Sequence, residues 1–381
     1  MTNALVLGAS GSMGYAIVNE LLNREIQVTA FARSQSKLER LFQDQANVTI
    51  VAGDAFHIHK LREASQDIDI IYHALGIPYY EWENKLIPLL HNILSVAKDI
   101  KAKLVLVDNI YSYGKSHGGK INENSPKQPH TKKGKIRFKQ EQIIKQSGVP
   151  YLIAHFPDFY GPFAENSLLH ETFQRVILNQ KTIFIGNPNI PREYIYTPDG
   201  AHALIELSLR DHTYGQNWNI PGVGVITGNE ILQILRRRGY SKRMTPISKF
   251  MVQIGGVFNK MLKEYAEMYY LNESPVILSG EKLKKELGDI RQISYEVGIM
   301  NTLDQMKPFH ELSWKGVFLL NNDDPMQIVQ LLENMDKKIN LLEKRTRPKI
   351  LWKNFWIGFG VVSVSWLLFL AILQIIGYQI F

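Results

Sequence analysis

The first fourteen residues constrain the fold most. Ala4-Leu5-Val6-Leu7 is an unbroken apolar run, and Gly8-Ala9-Ser10-Gly11-Ser12-Met13-Gly14 follows at once. A run of this kind suits a short strand buried on both faces of a parallel sheet. Ile17, Val18, Leu21 and Leu22 then recur at the spacing of one helical face. Strand, glycine loop and helix stand in the order of a dinucleotide-binding unit. Gly8, Gly11 and Gly14 permit a tight turn and close backbone approach to a pyrophosphate. The helix N-terminus, with Ser10, Ser12 and Met13 around it, offers free N–H groups and a positive dipole end to that anion.

The second strand, Gln27 to Ala32, ends at Arg33. An acid that bonds the ribose 2′-hydroxyl belongs ~20 residues past the glycines. Arg33 stands there instead, with Ser34 and Lys37 close by. A guanidinium pairs with a 2′-phosphate where a carboxylate would repel it. The pattern therefore favours NADP over NAD; the plainer reading makes Arg33 an ordinary surface charge. Val48–Val51, Ile68–His73 and Lys103–Val107 continue the series of strands between helical stretches. The expected fold is α/β, a Rossmann-type doubly wound parallel sheet with ligands at the strands' carboxyl ends. There Asp54, beside Ala55, is placed to bond an adenine amino group, and Ala74, Leu75 and Gly76 to line the adenosine side.

Gly8-x-x-Gly11-x-x-Gly14, Gly53-Asp54, Tyr113-Gly114, Phe159-Tyr160-Gly161-Pro162 and Tyr194 to Ala201 together resemble the extended short-chain dehydrogenase/reductases, the NAD-dependent epimerase/dehydratase type. Asn217 to Gly222 and Ile293 to Ile299 also fit, so the resemblance covers roughly residues 1–307. It implies an NAD(P)-dependent oxidoreductase or epimerase-like enzyme with a small-molecule substrate and a smaller C-terminal lobe. The family's active site is a Ser or Thr plus Tyr-x-x-x-Lys. By the family's spacing Asn109 stands at the hydroxyl position, Lys133 at the Tyr and Arg137 at the Lys. All three are replaced. Arg137 can still bond the nicotinamide ribose but cannot deprotonate. Asn109 can orient a carbonyl but is no acid. Lys133 can donate a proton without reproducing the Tyr–Lys couple. Tyr111 and Tyr113 can replace the lost phenol or simply pack beside the cofactor. His155, Asp158, Tyr160 and Arg192 are candidates for the substrate pocket, Arg192 as the partner of an anionic group. The departures leave a second reading open, a non-catalytic NADP-binding sensor or assembly factor for a membrane complex.

The 381 residues exceed one compact core, which stops growing near ~250–300, and the charge is unevenly placed. Of the net +8, the seventeen residues from Lys337 to Lys353 carry +6, seven bases against Glu343 alone. From Asn354 to Phe381 there is no charge. Residues 355–377 are long enough to span a bilayer, with Trp352 and Trp356 at the basic end and Tyr378 at the other. The basic flank places the large N-terminal part on the cytoplasmic side of a single-pass anchor in the cell membrane. No signal peptide precedes the first strand, and only about four residues follow the span. The tail points to a membrane-derived substrate, or serves localisation alone. The expected organisation is an NAD(P)-binding domain over 1–240, a substrate lobe over 241–320 sharing part of the sheet, an amphipathic basic linking helix over 321–349 and a transmembrane anchor over 350–381. Ile328, Leu331, Leu332, Met335, Ile339 and Leu342 stripe that linking helix, which can pack on the domain, pair with a second copy in a homodimer, or lie on the bilayer. The apolar stretch Ile247–Tyr270 covers the pocket, touches lipid, or is a plain core helix.

Other chemistries find no support. With no Cys there is no thiol catalysis, disulfide or Cys-ligated metal. His57-x-His59 lacks companions for a metal site. The basic residues cluster before the apolar tail rather than on a folded face, which disfavours nucleic acid.

Overall fold

The computed structural model describes residues 2–313 except 117 and 291, with side chains through 306. The stretches expected to form the linking helix and the membrane span lie outside the described residues. Among those described, no helix is long and apolar enough to cross a membrane.

Strands and helices alternate through the first half: β1 (Asn3–Leu7), α1 (Ser12–Leu22), β2 (Gln27–Ala32), α2 (Gln35–Phe42), β3 (Val48–Ala52), α3 (Ile58–Ala64), β4 (Ile70–His73), α4 (Trp82–Asp99), β5 (Lys103–Asn109), α5 (Lys132–Gln146) and β6 (Tyr151–Phe156). The chain continues through β7 (Asp158–Tyr160), α6 (His170–Ile177), β8 (Thr182–Ile185), β9 (Arg192–Tyr196), α7 (Thr197–Ser208), β10 (Gln216–Asn219), β11 (Val225–Ile226), α8 (Gly228–Arg237) and β12 (Met244–Ile247). It then becomes helical: α9 (Lys249–Phe258), α10 (Lys260–Met268), α11 (Tyr270–Glu273), α12 (Glu281–Leu287) and α13 (Tyr295–Ser313).

The large sheet has the order β10-β6-β5-β4-β1-β2-β3, every neighbouring pair parallel. A parallel sheet must be covered on both faces. Ala4, Val6, Val28 and Ala30 turn to one side and pack with Ile17 and Leu21 of α1 and Leu204 and Leu207 of α7. Leu5, Leu7 and Phe31 turn to the other, with Leu61 of α3, Leu89 and Ile93 of α4 and Ile144 of α5. The winding direction reverses between β1 and β4, which opens a crevice at their carboxyl ends. The sheet is the expected Rossmann arrangement.

A second core joins Tyr160, Phe173, Phe184, Tyr194 and Leu235 to Ile299 and Leu303. This lobe contains the small sheets β11-β9-β7 and β12-β8. Its core draws on residues well before 240, because the chain crosses from the large sheet into the lobe after β6, returns through α7 and β10, and crosses again at β11. The stretch 247–270 is two helices rather than one. Asn259 is extended (φ −135°, ψ 120°) and its side chain accepts the Leu262 N–H (3.0 Å), ending one helix and capping the next.

Candidate cofactor and active site

The loop after β1 is shaped by close backbone approach. Gly8 has φ +87°, and a Cβ there would stand 2.7 Å from the Ala74 carbonyl oxygen. A Cβ on Gly14 would run into the Gly8 carbonyl. The Gly11 N–H bonds that same carbonyl at 2.9 Å. Helix α1 then begins with no side-chain cap, so its first N–H groups face outward from the turn. The Met13 side chain is buried in the core, leaving only its backbone to a ligand. Ser10 and Ser12 are half-buried at the turn. Ala74 hydrogen-bonds Leu7 of β1 (2.9 Å), and Leu75 and the exposed Gly76 follow it. These residues, called separately from the sequence, lie together beside Gly8.

Arg33 is exposed just past β2 and has no partner among the described residues. Ser34 accepts the Lys37 N–H (3.2 Å) and caps α2. The Lys37 ammonium is already paired, 2.7 Å from Glu165. Asp54 accepts the Phe56 N–H with one oxygen (3.0 Å). Ala55 is buried, and its carbonyl accepts from Asn92 (3.2 Å).

On the other side of the crevice, α5 presents Lys133 and Arg137 one turn apart, both buried. Arg137 Nη1 lies 3.3 Å from Asp108 and 3.0 Å from Gln140, and the guanidinium stacks 4.4 Å from the Trp82 ring. Burial raises the Asp108 carboxyl, with Arg137 opposing. His73, at the carboxyl end of β4, is held neutral, near about 3, by burial and by Arg137. His73 Nε2 and Arg137 Nε are buried without a hydrogen-bond partner. Lys133 Nζ lies 2.5 Å from Glu264 and 2.8 Å from Glu267, both on α10. Glu267 also accepts the Lys132 N–H at the start of α5. Two of the three ammonium donors are therefore taken, and the Nζ sits 5.5 Å over the Tyr79 ring.

Asn109 caps the turn Ile110–Tyr113 by accepting the Tyr111 N–H (3.0 Å). The Tyr111 hydroxyl lies 2.5 Å from that of Tyr79. Burial pushes Tyr111 well above the usual phenol range and Tyr79 to about 12, so both stay protonated at neutral pH. Asp158 is raised by burial, with Arg192 working against it. Arg192 is buried, bonded to Asn272 and stacked 4.7 Å from the Phe184 ring. Tyr160 packs in the lobe core against Tyr196 and Tyr295.

Tyr113 and His155 belong to a further buried network that touches this group through Asn109 and Asp108. The Tyr113 hydroxyl donates to Asn219 (2.9 Å), and Lys127 sits 4.8 Å over its ring. His155 is wholly buried, 2.8 Å from Lys127 and 3.1 Å from the Asn109 carbonyl, and burial holds it neutral near about 3. Lys127 pairs in turn with Glu141. Asp108, 3.7 Å from His155 and 3.3 Å from Arg137, connects this network to α5. The sequence reading missed Tyr79, Glu264 and Glu267. Nothing local marks them, because their partners lie 32, 131 and 134 residues away.

Comparison with known proteins agrees with this geometry. The profile of an NAD(P)H-binding family matches residues 8–165. A 2-alkyl-3-oxoalkanoate reductase of Shewanella oneidensis is 37% identical over 75 residues, 19% of this chain and 18% of that protein. This chain thus spans less than a fifth of that relative. The fold of dTDP-glucose 4,6-dehydratase from Bacillus anthracis, solved with NAD, matches at a TM-score of 0.68 and 18% identity, over 82% of this chain and 98% of that one. UDP-glucuronic acid 4-epimerase from Bacillus cereus, also solved with NAD, matches at 0.67 and 18%, over 81% and 100%. The chain shares its fold with these NAD-bound dehydratase and epimerase structures. Its residues 8–165 match the NAD(P)H-binding family. The uncapped α1, the glycine cradle, the orphaned Arg137 and His73 nitrogens and the unpaired Arg33 all fit a dinucleotide.

Proposed function

We propose that this protein is a membrane-anchored, NADP-preferring oxidoreductase or epimerase-like enzyme with an atypical proton-transfer site. The observation that carries the cofactor reading is Arg33, exposed and unpaired at the end of β2, where a cation meets a 2′-phosphate. The α1 N-terminus and the Gly8–Gly14 loop would hold the pyrophosphate, and Arg137 the nicotinamide ribose. The bound nicotinamide would supply or accept hydride. Around it the chain's own groups are few. Tyr111, paired with Tyr79, is the phenol available to give a proton to a developing alkoxide. Asn109 and the free donor of Lys133 can orient the reacting oxygen. Asp158 and Arg192, a carboxyl and a guanidinium within electrostatic reach of each other, suit a polar substrate, and relatives of this fold act on nucleotide sugars. The anchor is the uncharged stretch 355–377 behind its basic flank, with the folded part on the cytoplasmic side.

One observation favours the second reading, a cofactor-binding sensor. Lys133 and Tyr111, the groups nearest the lost catalytic couple, are both already partnered. A panel of nucleotide sugars, aldehydes and ketones, assayed with NADPH for cofactor oxidation and for epimeric products, separates the two. The enzyme reading expects turnover that falls about 100-fold in Tyr111→Phe. NADPH binding without turnover on the whole panel supports the sensor.

A further inference from the structure

The hairpin α9–α10 has two unlike faces. Its inner face is committed to the candidate site. Glu264 and Glu267, the hairpin's two acids, both turn inward to Lys133. Gly255 and Gly256 are buried where the helices cross, and a Cβ on Gly256 would stand 2.9 Å from the Lys263 Cα. The outer face is apolar and uncovered. Phe250 is 63% exposed, Val257 75% and Phe258 57%, three of the seven large hydrophobic side chains that the described residues leave exposed. With the half-buried Ile254 they fall at i, i+4, i+7 and i+8, one stripe of α9. The other exposed apolar residues, Leu209, Val223, Val225 and Val297, lie on other elements.

Apart from Glu264 and Glu267, which are paired with Lys133, the charges of the hairpin are all basic. Lys242, Arg243, Lys260 and Lys263 are exposed and have no ion-pair partner among the described residues. Lys249 pairs with Glu273 at 3.0 Å, and α9 itself carries no acid. An apolar stripe on a hairpin that carries exposed, unpaired cations complements an anionic lipid surface, in which a helix of this kind lies flat with its apolar side in the acyl boundary. We propose that the outer face of α9 docks on an anionic bilayer, as a second membrane contact in addition to the C-terminal segment. This rests on the membrane-anchor reading above.

The chain has no cysteine, so a nitroxide on Val257→Cys of the full chain reports that position alone. A second label on Gln66→Cys, exposed and remote in sequence, is the control. The probe is a vesicle of phosphatidylcholine and phosphatidylglycerol, with collision accessibility to oxygen and to a water-soluble nickel chelate. On vesicle binding the oxygen-to-nickel ratio is expected to rise at least threefold at 257 and stay constant at 66. Adding Phe250→Asp is expected to return the 257 label to water while the chain stays on the vesicle. A chain that binds vesicles with 257 still aqueous overturns the docking proposal and leaves the anchor. A chain that does not bind vesicles overturns both. A label already shielded without vesicles, at all protein concentrations, assigns the face to the chain's own tail; shielding that grows with concentration assigns it to a second copy. Either result overturns the proposal.

Discussion

Glu193 sits on β9 with both carboxyl oxygens in use, accepting N–H bonds from Leu278 (2.9 Å) and Gly222 (3.2 Å). Burial nevertheless pushes it up to about 7, because the two backbone donors oppose only part of the cost of a buried charge. An acid raised in the folded state binds its proton more tightly there than in the unfolded chain. Its stabilising contribution is complete below the unfolded pKa and is lost as pH rises through the folded one. Chemical denaturation of the wild type and Glu193→Gln at pH 5 and pH 8 is expected to show the wild type losing about 2 kcal/mol relative to the variant. A constant difference would mean that Glu193 titrates normally. At this scale the sequence was legible where a residue acts through backbone geometry, as with Gly8 and Gly14. The surroundings of Tyr113 and His155 were not legible, since position in a strand does not say which neighbours will surround a side chain. The network of Lys127 and Asn219 that holds them comes from other segments.

Among elements, the contact that most sets the site is α5 against α10. Lys133 is buried, while its partners Glu264 and Glu267 keep 32% and 23% side-chain exposure. Removing one partner of a fully buried pair costs ~3–5 kcal/mol, and the partial exposure here lowers that. Lys133→Met is expected to destabilise the protein by about 2 kcal/mol and to speed amide exchange in 260–268 while leaving exchange in the large sheet unchanged. Uniform acceleration across both would show that α10 is not held separately by this contact. The strands of the large sheet were legible almost to the residue, because their apolar runs can be buried only between helices. The break at Asn259 was not, since hydrophobic spacing continues through it and the cap depends on one side chain. The lobe's make-up was hidden for the same reason as the site's: its core joins Phe173 and Tyr194 to Ile299 across more than a hundred residues.

At the scale of the whole molecule, a doubly wound sheet with a glycine cradle meets helix α10, whose Glu264 and Glu267 reach Lys133. The cofactor claim supports the rest, and Arg33 is its sharpest point. The direct measurement is the dissociation constant of the full chain for NADPH and for NADH, in the wild type and in Arg33→Ser. A charge-assisted contact worth ~1.5–3 kcal/mol predicts NADPH binding at least about tenfold tighter than NADH, with that preference lost in the variant and NADH affinity unchanged. Equal affinity for the two cofactors, or a preference that survives Arg33→Ser, would remove Arg33 from the site. Failure of the folded chain to bind either would contradict the central claim.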